Sequence, residues 1–215
     1  MKKSLRLVMF DLDGTLADTG RDLAASVNFT RREFSLLPLP DKAVFANVGR
    51  GAEYLVKQSL PEAGPDRFPQ IMRVFLAYYE AHLLDRTVLY PDVREVLRYF
   101  SAKRRAVVSN KMHRLTVAVA QGLGVAGEFD AILGGDSVAE KKPNPAMLQL
   151  VLEQFQISRD DALIVGDGDT DIEAGKRAGV ITCGVTYGLG DQDAVRAARP
   201  DFTIDSIAEL TDYFC

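Results

Sequence analysis

Uninterrupted hydrophobic runs, separated by segments with helical periodicity, organise this chain. The first run is Leu7–Phe10, four apolar residues that end at Asp11. An apolar run of this length is typical of a strand that is buried on both faces of a parallel sheet. Later apolar segments predict strands over 105–108, 129–133, 163–166, 180–185 and 202–204.

The chain between residues 17 and 87 follows a different pattern. Its apolar residues recur every three or four positions, which is the period of an amphipathic helix. The predicted helical segments cover 23–37, 41–47, 52–60 and 71–82. Prolines and glycines separate these segments, and no strand pattern interrupts them. We therefore expect a helical block inserted after the first strand.

From residue 88 onward, predicted strands alternate with helices, an order that favours parallel βαβ units. Asn144 precedes Pro145 in the arrangement of a helix start, with Pro145 as the first helical residue. Thr170 and Glu173 have the spacing of a capping box, so the next helix is expected to begin near Thr170 and to end at Gly179.

The predicted fold class is therefore α/β. A parallel-sheet core is expected to comprise residues 1–16 and 88–215, with residues 17–87 as an inserted helical domain. In open sheets of this type, ligands bind beyond the carboxyl ends of the strands. That edge is where the candidate chemistry should be sought.

Composition narrows the function classes. The chain has 215 residues, a formal net charge of -4 and a pI near 5.3, so it has no general attraction for nucleic acid. The N-terminal apolar run stops at Asp11, too early for a signal peptide or a membrane span. Cys183 and Cys215 do not form a disulfide framework, which favours a reducing compartment. We expect a cytoplasmic protein with no nucleic acid or membrane partner.

Polar residues lie at the carboxyl ends of four predicted strands or in the loops that follow them. They are Asp11, Asp13, Ser109, Lys142, Asp167 and Asp171. Two carboxylates about 4 Å apart repel by roughly 4 kcal/mol at an effective dielectric near 20, so such a cluster must bind protons or a cation. Oxygen ligands without His or Cys suit a hard ion, and Mg²⁺ is the natural choice if phosphate completes its shell.

The same residues are suited to phosphoryl transfer. The Ser109 hydroxyl and the Lys142 ammonium are partners for phosphoryl oxygens. The Asp11 carboxylate can act as nucleophile and form an aspartyl-phosphate, while Asp13 can protonate the leaving oxygen and later activate water. Lys141 competes with Lys142 for its role, but Pro143 holds Lys142 extended and favours it.

Four motifs in this order resemble the haloacid dehalogenase-like phosphatases. They are DLDGTL at 11–16, Ser109-Asn110, Lys142-Pro143 and GDGDTD at 166–171. The resemblance implies a Rossmann-like core with a helical cap domain, Asp11 as nucleophile, and Asp13 as acid–base residue and Mg²⁺ ligand through its backbone carbonyl. It also implies Asp167 as a direct metal ligand. Asp171 would support the metal site or contact Lys142, and Gly168 replaces a frequent serine.

Within this family, further segments resemble the phosphoglycolate phosphatases. They are NVGRGAEYLVKQSL at 47–60, YPDV at 90–93, SNK at 109–111 and VTYGLG at 185–190. The resemblance implies 2-phosphoglycolate, a small phosphorylated metabolite, as substrate. Arg50 is the candidate contact for its carboxylate, Asn110 is a candidate phosphate contact, and Lys111 is a further candidate without an assigned role.

Three alternatives stay open at this point. Relatives that hydrolyse pyrophosphate and β-phosphoglucomutase-type phosphomutases share the nucleophile, the acid and the metal. A receiver-like phospho-acceptor module would also use Asp, Mg²⁺, Ser and Lys, but it has no need of Asp13 or of a helical insert. The expected assembly is a monomer or a homodimer.

Overall fold

The computed structural model describes residues 2–215. Its strands are β1 (Leu7–Phe10), β2 (Ala17–Asp18), β3 (Val88–Leu89), β4 (Arg104–Val108), β5 (Ala131–Leu133), β6 (Ala162–Gly166), β7 (Ile181–Val185) and β8 (Phe202–Ile204). Six of them form one parallel sheet in the order β5-β4-β1-β6-β7-β8. The first strand lies between β4 and β6, so the predicted α/β fold class is confirmed.

Residues 2–215 also form ten α-helices. They are α1 (Gly20–Glu33), α2 (Asp41–Phe45), α3 (Ala52–Ser59), α4 (Phe68–Ala81), α5 (Val93–Tyr99), α6 (His113–Gly122), α7 (Ala146–Phe155), α8 (Asp169–Ala178), α9 (Gln192–Ala197) and α10 (Leu210–Tyr213). None of these helices, within residues 2–215, has both the length and the apolar character to cross a membrane.

The alternation of side chains along β1 divides the core into two layers. Val8 and Phe10 belong to a buried cluster with residues of α5, α6 and α10, whereas Leu7 and Met9 belong to a cluster with residues of α7 and α8. Because both faces of β1 are covered, its sequence is apolar at every position. Asp11 is the first polar residue after this strand, at the point where the chain leaves the two layers.

The helices α1 to α4 have a hydrophobic core of their own, to which Leu115 of α6 also contributes. The short strands β2 and β3 pair antiparallel at the two ends of this helical block. Asp22 ties the ends together, since its carboxylate accepts hydrogen bonds from the Thr87 backbone at 2.8 Å and from the Thr87 hydroxyl at 2.7 Å. The division into a core and a cap at residues 17 and 87 stays a prediction.

The helix α8 begins near Thr170, as predicted, but with a different capping residue, and α7 begins one residue later than predicted. The helix α8 begins at Asp169, and the Asp171 carboxylate accepts the Gly168 N–H at 3.1 Å, so Asp171 rather than Glu173 has the capping role. The helix α7 begins at Ala146, whose N–H donates to the Asn144 side chain at 2.9 Å. Asn144 therefore caps the helix as predicted, but from one position further away.

Candidate active site

The loop after β1 brings the first two carboxylates to the carboxyl edge of the sheet. The Asp11 backbone N–H still donates to Val165 of β6 at 2.9 Å, so Asp11 continues the sheet while its side chain lies beyond it. Gly14 then turns the chain with φ +86°, a conformation that favours glycine. Any side chain at residue 14 would also collide with the Asp167 carboxylate. The sequence DLDG therefore permits close approach between two strand ends.

Lys142 lies at the centre of the site and is almost completely buried. Its ammonium donates to Asp11 Oδ1 at 2.7 Å, to Asp171 Oδ1 at 2.5 Å and to the Val108 carbonyl at 2.5 Å. Burial opposes the charge of Lys142, but the Asp11 and Asp171 carboxylates more than offset this effect and raise its pKa. The lysine is thus a fixed positive charge, and its contact with Asp171 agrees with one of the two roles foreseen for that acid.

Asp11, Asp167 and Asp171 form a compact group of carboxylates. One oxygen from each lies within 4.8 Å of the others. Asp167 is held by two backbone donors, Leu189 N–H and Gly190 N–H, each 2.8 Å from its Oδ2. Burial, together with the charges of Asp11 and Asp171, nevertheless raises the pKa of Asp167 to about 8. Burial also raises the pKa of Asp11 to about 6, with Lys142 acting in the opposite direction.

The charges of the site leave a deficit that a divalent cation would correct. When all four are ionised, the buried carboxylates face two buried ammonium groups, those of Lys111 and Lys142, which leaves a difference of two negative charges. Buried charge of this size is costly unless it is paired. The donor set consists of carboxylate oxygens, which suits Mg²⁺. The residues therefore fit the predicted ion.

Asp13 has different surroundings from Asp11, although only two residues separate them. Its carboxylate accepts bonds from the Lys111 ammonium at 2.9 and 3.0 Å and from the Thr19 hydroxyl at 2.7 Å. Lys111 also donates to the Tyr79 hydroxyl of α4 at 2.7 Å. One acid thus pairs with Lys142 and its neighbour with Lys111. A metal contact through the Asp13 backbone carbonyl stays a prediction.

The loop after β4 carries the two other polar candidates. Ser109 is buried, and its Oγ accepts the Lys111 N–H at 3.4 Å. The Asn110 side chain connects two loops, because it donates to the Gly49 carbonyl and to the Lys142 carbonyl at 2.9 Å, and accepts the Lys142 N–H at 2.9 Å. The side chain of Asn110 therefore positions Lys142, and a phosphate contact by this residue stays a prediction.

Arg50 reaches the same region from the loop between α2 and α3. Its guanidinium lies 2.6 Å from the Asp169 carboxylate, and 44% of its side chain is exposed. Arg50 lines a cavity of about 230 Å³ together with Asp13, Asp167 and Thr170. The structure thus brings Arg50 to the mouth of the site, where its guanidinium forms an ion pair with Asp169.

Two side chains and two backbone groups of the site were missed by the sequence interpretation. Tyr79 reads as one more apolar position of the α4 stripe, and Thr19 as an ordinary polar residue before α1. The N–H groups of Leu189 and Gly190 carry no side-chain signal at all. Only the glycines at 188 and 190 could have indicated them, because a side chain at either position would meet Asp167.

Comparison with known proteins gives consistent matches. The family model of the haloacid dehalogenase-like hydrolases matches residues 8–185. A phosphoglycolate phosphatase of Vibrio vulnificus strain YJ016 is 36% identical over 220 residues, covering 98% of this chain and 96% of that protein. A phosphoglycolate phosphatase of Chromobacterium violaceum is 36% identical over 217 residues, covering 98% and 96%. The crystal structure of a predicted phosphoglycolate phosphatase from Haemophilus somnus 129PT superimposes with a TM-score of 0.93, at 31% identity and 97% coverage of both chains.

Proposed function

We propose that this chain, which belongs to the haloacid dehalogenase-like hydrolase family and is a phosphatase, hydrolyses 2-phosphoglycolate through an aspartyl-phosphate on Asp11. The observation that carries the proposal is the separate pairing of two neighbouring acids. Asp11 contacts Lys142 at 2.7 Å, whereas Asp13 contacts Lys111 at 2.9 Å. Two carboxylates in different surroundings are suited to two different tasks, one on phosphorus and one on a proton.

In the first step, an oxygen of Asp11 would attack phosphorus while the bond between phosphorus and the ester oxygen breaks. Asp13 would have to carry a proton at this stage and would pass it to that ester oxygen, so the alcohol leaves neutral. In the second step, Asp13 would take a proton from water, and the resulting hydroxide would displace Asp11 and release inorganic phosphate. The Ser109 hydroxyl would hold a phosphoryl oxygen in line, and the Lys142 charge, fixed by Asp11, Asp171 and the Val108 carbonyl, would stabilise the negative charge of the phosphoryl group throughout.

We propose Mg²⁺ as the cofactor. Asp11 and Asp167 would hold it, with Asp171 and the Asp13 backbone carbonyl as further partners. When bound, the ion supplies the positive charge that the carboxylates lack and that a phosphate ester requires. The charge deficit of the described site supports this assignment independently of any relative.

A substrate panel tests the proposed function. We expect kcat/KM for 2-phosphoglycolate to exceed that for pyrophosphate and sugar phosphates by about tenfold or more. Preferred hydrolysis of pyrophosphate, or isomerisation of glucose 1-phosphate in the presence of its bisphosphate, would contradict the proposal. Glycolate release that stops after one equivalent, with the phosphoryl group retained on the protein, would instead indicate a phospho-acceptor module. We further propose that the enzyme works in the cytoplasm as a monomer or a homodimer.

Asp13→Asn is expected to affect substrates according to their leaving groups. The loss of kcat/KM should reach about 10²-fold to 10⁴-fold for 2-phosphoglycolate, whose alkoxide leaving group needs a proton. For 4-nitrophenyl phosphate the loss should be about tenfold or less, because its phenolate leaves without protonation. Steady-state rates with both substrates measure the difference, and equal losses would show that Asp13 is not the general acid.

Addition of Mg²⁺ is expected to raise the melting temperature. At about 100 times its Kd the ion should stabilise the fold by about 2.7 kcal/mol, or roughly 5–10 °C for a chain of this size. Asp167→Asn should abolish this increment.

In EDTA the same variant should melt above the wild type at pH 8, because the raised pKa of Asp167, about 8, makes its ionised form costly.

The sign follows from proton linkage. The folded wild type without metal binds more protons at Asp167 than the unfolded chain between about pH 4 and pH 8, so its stability falls as the pH rises through this window. The advantage of Asp167→Asn should therefore shrink toward pH 4. Asp160→Asn, a change at an exposed acid, is the matched control. It should leave the melting temperature unchanged both with Mg²⁺ and in EDTA. Equal Mg²⁺ increments in wild type and Asp167→Asn would contradict the assigned ligand.

A further inference from the structure

A cleft of about 500 Å³ lies at the amino edge of the sheet, opposite the candidate active site. It is bounded by the start of β1, the loop between α5 and β4, and the end of α7. Arg6 precedes β1 and Asp11 follows it, so their backbones lie roughly 16 Å apart at a rise of about 3.3 Å per residue. The cleft is therefore separate from the catalytic carboxylates.

Positive charge dominates this basic cleft. The four cations that line it are Arg6, Lys103, Arg104 and Arg105. Asp130 pairs with Arg104 at 2.5 Å. Glu128 pairs with Arg105 at 2.8 Å. Four cations against two acids leave a surplus of two positive charges among these side chains, on a chain whose formal net charge is -4. Such a local concentration of positive charge attracts anions.

Two of the cations are fixed in place by several contacts each. Besides its ion pair, the Arg104 guanidinium lies over the Phe155 ring, 5.4 Å from the ring centroid. Arg105 also donates to the Leu97 carbonyl at 2.8 Å, and 12% of its side chain is exposed. These two guanidinium groups therefore form a rigid wall of the cleft.

The other two cations, Arg6 and Lys103, have no acidic partner. Neither side chain takes part in an ion pair among residues 2–215. They lie on neighbouring chains, because Leu7 pairs with Arg104 in the parallel register and each cation directly precedes one of these residues. Two neighbouring cations repel each other, and an anion bound between them would remove that repulsion. Their charges are thus available to a ligand.

We propose that the basic cleft binds a small anion that carries two or more phosphate groups, with Arg6 and Lys103 as its main contacts. The surplus of two positive charges matches an anion with at least two negative charges. Five of the ten lining residues are charged, which disfavours an apolar ligand. The volume lies within the range of about 300–1,000 Å³ that is usual for small-molecule sites, and it exceeds the need of a single phosphate ion. This inference does not depend on the proposed catalytic function.

Isothermal titration calorimetry of the wild type, freed of metal on a chelating resin, tests the site. In this state the surplus of catalytic carboxylates repels anions from the active site. The probes are ATP, inorganic tripolyphosphate and inorganic phosphate. We expect one equivalent of ATP or tripolyphosphate to bind, and inorganic phosphate to bind at least about tenfold more weakly. The affinity for either polyphosphate should fall about tenfold or more between about 50 and 300 mM NaCl, because salt screens exposed charges.

A matched pair of double variants locates the site. Arg6→Met/Lys103→Met removes both unpaired cations and should weaken the binding of either polyphosphate at least about 10²-fold, roughly tenfold for each cation. Lys42→Met/Arg73→Met makes the same change of net charge at exposed residues of α2 and α4, and should keep the affinity within about threefold. If Arg6→Met/Lys103→Met does not fold, the two single variants decide, each with an expected loss of about tenfold.

The titrations give clear contrary results. Absence of binding by both polyphosphates would overturn the inference, and so would unchanged affinity in Arg6→Met/Lys103→Met, because binding would then take place elsewhere. Equal weakening in the two double variants would overturn it as well, since the protein would then respond to net charge alone. Inorganic phosphate that binds as tightly as tripolyphosphate would overturn the assignment to an anion with several phosphate groups. Equal affinity for ATP and tripolyphosphate would support recognition by phosphate charge, and tighter binding of ATP would support an added contact of the nucleoside with the wall at Phe155.

Discussion

Asp11→Asn is expected to lower kcat by at least about 10⁴-fold on every phosphate ester while the fold stays intact. The amide oxygen can still accept a bond from Lys142, which donates to Asp11 Oδ1 at 2.7 Å, so the buried lysine keeps a partner. What the variant lacks is the nucleophile. Steady-state phosphate release measures the loss, and acid quenching with ³²P-labelled substrate measures the phosphoryl group bound to the protein.

The wild type should carry an acid-stable ³²P-phosphoryl group that is lost as unlabelled 2-phosphoglycolate is hydrolysed. Asp11→Asn should carry none. Asp160→Asn is the matched control, since it makes the same chemical change at an exposed acid just before β6, at the opposite end of that strand from the site. Its activity should equal that of the wild type. Covalent label in Asp11→Asn, or a kcat within about 100-fold of wild type, would show that another residue or a water molecule attacks phosphorus.

The main features of the fold could be predicted because burial leaves a direct record in the sequence. The segments of β1 and β8 were predicted with their observed bounds, and β6 and β7 to within one residue. β1, β6 and β7 lie inside the sheet and are buried at every position, so their sequences are mostly apolar, whereas β8 is an edge strand with an exposed Thr203. The pair β2 and β3 was missed, because two residues in each strand are too few to establish any period.

The acids of the site could be predicted for a similar reason. Asp11 and Asp167 each follow a buried strand, and neighbouring parallel strands end at the same edge of a sheet. The partners of Asp13 could not be found in this way. Tyr79 belongs to a helix whose other buried residues are apolar, and its contact with Lys111 depends on how that helix lies against the sheet. Tertiary packing, rather than local pattern, determines this contact.

The unexpected capping residue of α8 has a physical explanation that connects fold and site. Asp171 gives one oxygen to the Gly168 N–H and the other to Lys142, so the residue that caps the helix also belongs to the carboxylate group. The capping-box spacing at Thr170 pointed to Glu173, which instead forms an exposed ion pair with Arg177. A sequence pattern alone cannot distinguish an acid used in a cap from one used in an ion pair on the helix surface.

Lys142→Met is expected to reduce both stability and activity, since no other cation contacts Asp11 or Asp171 in the described part of the chain. Loss of one partner from a buried ion pair costs about 3–5 kcal/mol. For a chain of this size the melting temperature should fall by about 10 °C or more in EDTA, and by less with Mg²⁺, which would restore part of the positive charge. Activity should fall at least about 10³-fold, because the phosphoryl oxygens lose a fixed charge.

The neighbouring lysine provides the matched control and tests the competing assignment. Lys141→Met makes the same change one residue earlier, where the side chain lies beside Gly51 and Gly135 rather than among the carboxylates. Its effect on activity should stay below about tenfold, and its melting temperature should remain near that of the wild type. If Lys141→Met instead showed the larger losses of activity and melting temperature, the ion pairs of Lys142 would contribute little to either. The catalytic charge would then belong to Lys141, because the two variants differ only in which ammonium is removed.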